Sequence, residues 1–145
     1  MAMPVFRFVV SDGKESRQVE RDQSSCPIIG KKIGETFTAD FLGLDGYTLK
    51  ITGGSDKDGI PMRPDVDSVG RKVLILTKGI GFSGKLRGRK KKRKAIAREG
   101  IRKRKVICGN TISADTMQVN CKIEKAGPKP LAELLPKAPK EEAKK

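Results

Sequence analysis

Between Lys85 and Lys105 the chain carries thirteen Lys or Arg and one acid, Glu99. That stretch holds +12 of a net charge of +15, so the rest of the chain is close to neutral. Cations at this density do one kind of chemistry: they neutralise a polyanion. A solvated protein face mixes signs because like charges repel, whereas Arg89-Lys90-Lys91-Lys92-Arg93-Lys94 is six cations in a row. A phosphate backbone supplies the missing counter-charge, and Arg grips phosphate in bidentate fashion.

The other constellations that could do chemistry are weak. The chain has no His, which removes the commonest metal ligand and the commonest general base. Cys26, Cys108 and Cys121 are far apart and make no CxxC pair, which suits buried free thiols in a reducing compartment. Asp56-Lys57-Asp58-Gly59 opens like a calcium loop, but Ile60 occupies the third ligand position, the glycine comes too early and no Glu closes the site. Gly79-Ile80-Gly81-Phe82-Ser83-Gly84 has the spacing of a dinucleotide loop and follows an apolar segment. The helix that should open at its last glycine is replaced by basic residues, and no acid ends a second strand. Its glycines serve better as a flexible exit into the basic block. No enzymatic activity, cofactor, metal or small-molecule substrate is expected.

The elements that must position the cations are short strands. With 36% hydrophobic residues, no Trp, five Phe and one Tyr, the chain can build one modest aliphatic core, and sixteen Gly and eight Pro point to many turns. Val5–Val10 reads as a strand, Ser11-Asp12-Gly13 as a tight turn, and Ser16–Glu20 as its polar partner. Ser24–Gly34 is a helical turn or loop expected to set Ile28, Ile29 and Ile33 on the core. Thr36–Leu42 and Tyr47–Ile51 form a second hairpin, with Tyr47, Leu49 and Ile51 on one face. Val73-Leu74-Ile75-Leu76 has no polar residue and reads as a central strand covered on both faces. In the last strand Met117, Val119, Cys121 and Ile123 share the core face.

About six strands, several hairpins and no long amphipathic helix predict a mainly β fold: a small antiparallel β-barrel-like domain, closed to remove exposed edges. It spans residues 1–127 and includes an extended basic loop at 85–105. Residues 128–145 form a Pro/Lys-rich tail with at most one helical turn near Leu131–Leu135. Neither a secretory signal nor a membrane span is present, so a cytoplasmic location is expected.

Because strands flank the basic block, it is an internal extension rather than a frayed end. It has too little apolar surface to order by itself. Phe82 is the only aromatic residue after Tyr47, so stacking of bases is disfavoured against backbone and shape contact with folded RNA. The Gly53–Pro64 segment carries Lys57 and Arg63 as isolated cations and is stiffened by Pro61 and Pro64. As residues alone, it fits a solvated connection or a pre-shaped docking loop equally well.

That twelve-residue segment resembles the hallmark loop of the archaeal and eukaryotic small-subunit ribosomal protein family written S-six-e. The likeness extends to Ile29-Gly30-Lys31-Lys32-Ile33-Gly34, to Gly88-Arg89-Lys90-Lys91-Lys92-Arg93-Lys94 and to Gly109-Asn110-Thr111-Ile112-Ser113. It covers roughly residues 3 to 127 and fits the short archaeal form. No Ser or Thr follows Thr116, so the phosphorylated C-terminal helix of eukaryotic members is not carried over. The resemblance implies a barrel-like body bound to small-subunit ribosomal RNA beside neighbouring ribosomal proteins, with Lys57 and Arg63 touching RNA from a docking loop. The phosphate contacts would come from Lys85, Arg87, Arg89, Lys90, Lys91, Lys92, Arg93, Lys94 and Arg98. A second group, Arg102, Lys103, Arg104 and Lys105, leads into the following strand. The rival reading is an architectural DNA- or chromatin-binding protein.

Overall fold

Alternation of apolar and polar residues sets the first sheet. In β1 (Val5–Ser11) Phe6, Phe8 and Val10 are fully buried while Arg7 faces out and pairs with Glu20 at 2.9 Å. The computed structural model describes residues 5–13, 15–86, 96–97, 99–128 and 131–135. β2 (Ser16–Asp22) returns antiparallel to β1 with Phe8 opposite Val19. β3 (Thr36–Thr38) pairs antiparallel with β4 (Thr48–Asp56), whose Leu49 and Ile51 are buried.

β9 (Thr116–Lys125) is the spine, giving the strand order β2-β1-β9-β4-β3. It runs antiparallel to β4 but parallel to β1, with Phe8 beside Val119 and Val10 beside Cys121. Thus the mainly β, barrel-like fold stands, but one pair in it is not antiparallel. Three register shifts along the β4–β9 pair mark bulges, which bend a strand and raise its twist, and the sheet curls into a half-barrel. Its concave face holds the principal core, closed by Ile28, Leu42 and Leu44. Phe8 and Phe41 pack edge to face at 5.8 Å, and Phe37 stacks on Phe41 at 5.7 Å.

A second, two-stranded sheet joins β5 (Arg71–Leu76) to β8 (Lys103–Cys108), with Val73 opposite Val106. Beneath it Leu76, Phe82 and Ile107 make a small separate core, edged by Val66 and Ile101. A third pairing joins β6 (Lys85–Leu86) to β7 (Ile96–Ala97), giving nine strands among the described residues where the sequence suggests about six. Four local expectations are corrected. β5 is no covered central strand: Val73 is 57% and Ile75 65% exposed, because β8 is its only partner strand among the described residues. Ile29 at 53% exposure stays off the core, as does Met117 at the start of β9. The 85–105 segment is no bare loop, since its two ends and its 96–97 stretch are strands. α1 (Leu131–Leu134) buries Leu131 in the principal core. Among the described residues no helix is long and apolar enough to cross a membrane.

Candidate nucleic-acid interface

The Gly53–Pro64 segment is shaped before anything binds it. Its first four residues belong to β4, which ends at Asp56. A turn follows in which the Gly59 N–H donates to the Asp56 carbonyl at 2.8 Å, and the Asp56 N–H donates to the Ile60 carbonyl at 3.0 Å. The returning arm is held by Met62 N–H to the Gly54 carbonyl at 3.0 Å and by Arg63 N–H to the Cys108 carbonyl at 3.1 Å. Gly54 permits this layering: a Cβ there would lie 2.4 Å from the Gln118 carbonyl oxygen and 3.1 Å from Met62 Sδ. The backbone hydrogen bonds therefore favour the pre-shaped loop over a loose connection.

An ion cluster locks the turn to the second sheet. Arg71 Nε donates to Asp56 Oδ2 at 2.6 Å, and Arg71 also engages Asp58. Arg71 and Cys108 are register partners on β5 and β8, so both side chains reach the same acid; the Cys108 thiol lies 3.7 Å from Asp56 Oδ2. Burial pushes the Asp56 carboxyl up, but hydrogen bonds from Arg71 and the Lys57 N–H, with the Arg71 charge, outweigh it and leave the acid below its ordinary range. Burial and then the Asp56 charge push the Cys108 thiol up to about 11. Nothing local in the chain signals this cluster, because its members are fifteen and fifty-two residues from Asp56.

The expected contact residues fall into three groups. Lys57 is exposed at the turn, its ammonium 3.3 Å from Asp115 Oδ1. Arg63 is turned inward: its side chain is 20% exposed, pairs with Asp65 and donates to the Ile80 carbonyl at 3.3 Å. Its Nε is buried without a hydrogen-bond partner. Lys85 sits on β6, while Arg102 is exposed just before β8, Lys103 and Arg104 are exposed at its start and Lys105 is half-buried. The structure thus brings the second basic cluster onto a strand beside β5, with Arg104 opposite Ile75. Arg87, Arg89, Lys90, Lys91, Lys92, Arg93, Lys94 and Arg98 lie outside the described residues.

Five acids around the loop are engaged by cations: Asp56 and Asp58 by Arg71, Asp65 by Arg63, Asp67 by Lys32 and Asp115 by Lys57. The Gly79–Gly84 spacing builds no dinucleotide loop. Gly79 and Phe82 exchange backbone hydrogen bonds at 2.9 and 3.1 Å, and Phe82 anchors the second core. Short strands, cation-bound acids and a +12 block between strands define a basic, structural β protein. The chain belongs to the ribosomal protein S6e family, whose model matches residues 6–136; the family is structural and non-enzymatic. It is 40% identical over 133 residues to small ribosomal subunit protein eS6 of Methanocaldococcus jannaschii, covering 92% of each chain. The protein of that name from Methanothermobacter thermautotrophicus is 42% identical over 131 residues, covering 90% of this chain and 94% of the other. For Methanocella arvoryzae the identity is 40% over 143 residues, covering 97% and 92%.

Proposed function

We propose that the chain is a structural constituent of the small ribosomal subunit, in the cytoplasmic ribosome, and binds folded ribosomal RNA through phosphate contacts. The observation that carries this is the mounting of the basic block. Lys85 and Leu86 pair with Ala97 and Ile96, and the segment joining those strands, residues 87–95, holds seven of the thirteen cations. A second cluster, Arg102–Lys105, runs onto β8. Two basic stretches, one joining β6 to β7 and one leading onto β8, concentrate the positive charge that crowded RNA phosphates call for.

Within this reading Lys57 contacts RNA from the rigid turn. Arg63, already engaged by Asp65 and Ile80, carries the smaller share and chiefly holds the loop. Residues 1–127 are the RNA-binding body and 128–145 a Pro/Lys-rich tail whose Leu131 is clipped to that body. Neighbouring ribosomal proteins are the other partners. A salt titration on an isolated small-subunit RNA fragment tests the reading. The logarithm of affinity is expected to fall against the logarithm of salt with a slope of about −0.7 to −0.9 per neutralised phosphate. An affinity that barely changes with salt sinks phosphate neutralisation. Preference for duplex DNA over folded RNA at matched salt favours the architectural DNA-binding alternative.

A further inference from the structure

At the root of the basic hairpin lies a cavity of about 450 Å³. Its walls come from three places: Thr77 and Lys78 after β5, Ser83 to Lys85 entering β6, and Glu99 to Ile101 ahead of β8. The size is that of a small-molecule site. Its shape depends on Gly84, whose φ of +72° is left-handed and where a Cβ would meet Lys78 Cβ at 3.0 Å and Cγ at 3.1 Å. The Lys78 stem therefore lies against the Gly84 backbone, on the cavity wall.

The lining is chemically mixed. Its lining residues include the cations Lys78 and Lys85, the hydroxyl-bearing Thr77 and Ser83, and Ile101, which packs against the second core. Glu99 is the sole acid of the +12 block. Among the described residues none of Lys78, Lys85 and Glu99 forms an ion pair, although most other acids around the interface do. A carboxylate in this position disfavours a bare phosphate but suits a ligand that carries N–H donors beside its anion. A nucleotide is such a ligand. Of the four RNA bases only guanine presents two adjacent N–H donors on its Watson–Crick edge, matching the two oxygens of a carboxylate. Adenine and cytosine set an acceptor beside their amino group, and uracil flanks its one N–H with carbonyls.

We propose that this cavity takes one unstacked guanine nucleotide of the bound RNA. Lys78 and Lys85 hold the phosphate, Thr77 and Ser83 face the ribose hydroxyls, Glu99 reads the base edge and Ile101 supports the base. This rests on the RNA-binding reading above and adds a base-specific contact to an otherwise backbone-directed interface.

The test titrates 5′-GMP, AMP, CMP, UMP and inorganic phosphate separately into the full chain at low salt, followed by amide shifts of Thr77, Gly84, Gly100 and Ile101. GMP is expected to bind roughly tenfold more tightly than the other nucleotides, the discrimination that a bidentate pair supplies. E99Q should lose that preference while keeping the salt slope on the RNA fragment. Equal responses to all probes, no saturable shift with GMP at about 10 mM, where even millimolar binding would show, or a guanine preference that survives E99Q each overturns the pocket. A steep RNA salt slope without guanine preference removes the pocket alone. A flat slope with guanine preference keeps the pocket and removes the phosphate-neutralising reading.

Discussion

Asp56 is the only buried charged residue among the described ones, and its partners say what it does. Its side chain is 3% exposed, while Arg71 beside it is 39% exposed, so the pair is half in water. It is worth less than a fully enclosed one, but removing the charge costs Arg71 its buried partner and leaves it only the exposed Asp58, while the Lys57 N–H falls back on the Asp115 carbonyl. Asp56→Asn should destabilise the fold by about 2–3 kcal/mol at neutral pH, read by urea denaturation. The pH dependence has a fixed sign. The folded carboxyl lies below its ordinary 3.8, so its stabilising effect is complete above that value and is lost as pH falls through the lower folded value. Wild type should therefore lose more stability between about pH 5 and pH 2 than Asp56→Asn does; parallel curves contradict the assignment. The thiols point the same way. Burial raises Cys121 to about 12 and Cys108 to about 11, so neither is a thiolate at neutral pH. Alkylation of the native protein should be slow at both and become fast in urea; rapid native labelling of Cys108 is the contrary result.

The strands divide into those whose coverage the residues announce and those whose coverage they do not. β1, β4 and β9 alternate, and alternation states which side meets the core, so Phe8, Leu49, Ile51, Val119 and Cys121 are legible from sequence. β5 is a continuous apolar run, and such a run gives no side. It suits a sheet covered on both faces, yet here it is half of a two-stranded sheet with Ile75 in solvent. The parallel β1–β9 pair was hidden too, since strands over a hundred residues apart share no turn to betray them. Charge revealed the basic block, but Arg63's inward turn depends on Asp65 and Ile80 and could be read only in three dimensions. A two-stranded sheet is marginal in water unless it packs on something, and β5–β8 packs its own Leu76 and Ile107 on Phe82, with Val66 and Ile101 at the edge. Phe82→Ala should therefore cost about 2–3 kcal/mol, toward the low end for a buried Phe because the cluster is small. Hydrogen exchange should quicken on β5 and β8 while β1 and β9 keep their protection. Uniform loss across all four strands shows instead that the two cores open together. Phe8→Ala, in the principal core, is the comparison and should weaken every strand, by about 3–5 kcal/mol.

At the scale of the whole molecule, fold and charge are separable. Among the described residues the buried apolar side chains lie in two clusters fed by β1, β4, β5, β8 and β9. Seven cations lie in that nine-residue stretch, and deleting them takes the net charge from +15 to +8. Leu86 and Ile96 are antiparallel partners, so an Asn-Gly pair can join them as a two-residue turn without disturbing the stem. The shortened chain should melt at the wild-type temperature or slightly above, because the deletion relieves like-charge repulsion and leaves the packing of both cores intact. Its RNA affinity should fall and, more tellingly, its salt slope should shrink by roughly 5 to 6, the counterions released by seven phosphate contacts. A random loss of affinity through misfolding cannot mimic this pairing of an unchanged melt with a smaller slope. A lower melting temperature makes the stretch part of the fold, and an unchanged slope moves the phosphate contacts to Arg102–Lys105 and Lys57. Charge reversal at Lys103 and Arg104, exposed on β8, then distinguishes a contact shared by both basic stretches from one carried by the hairpin alone.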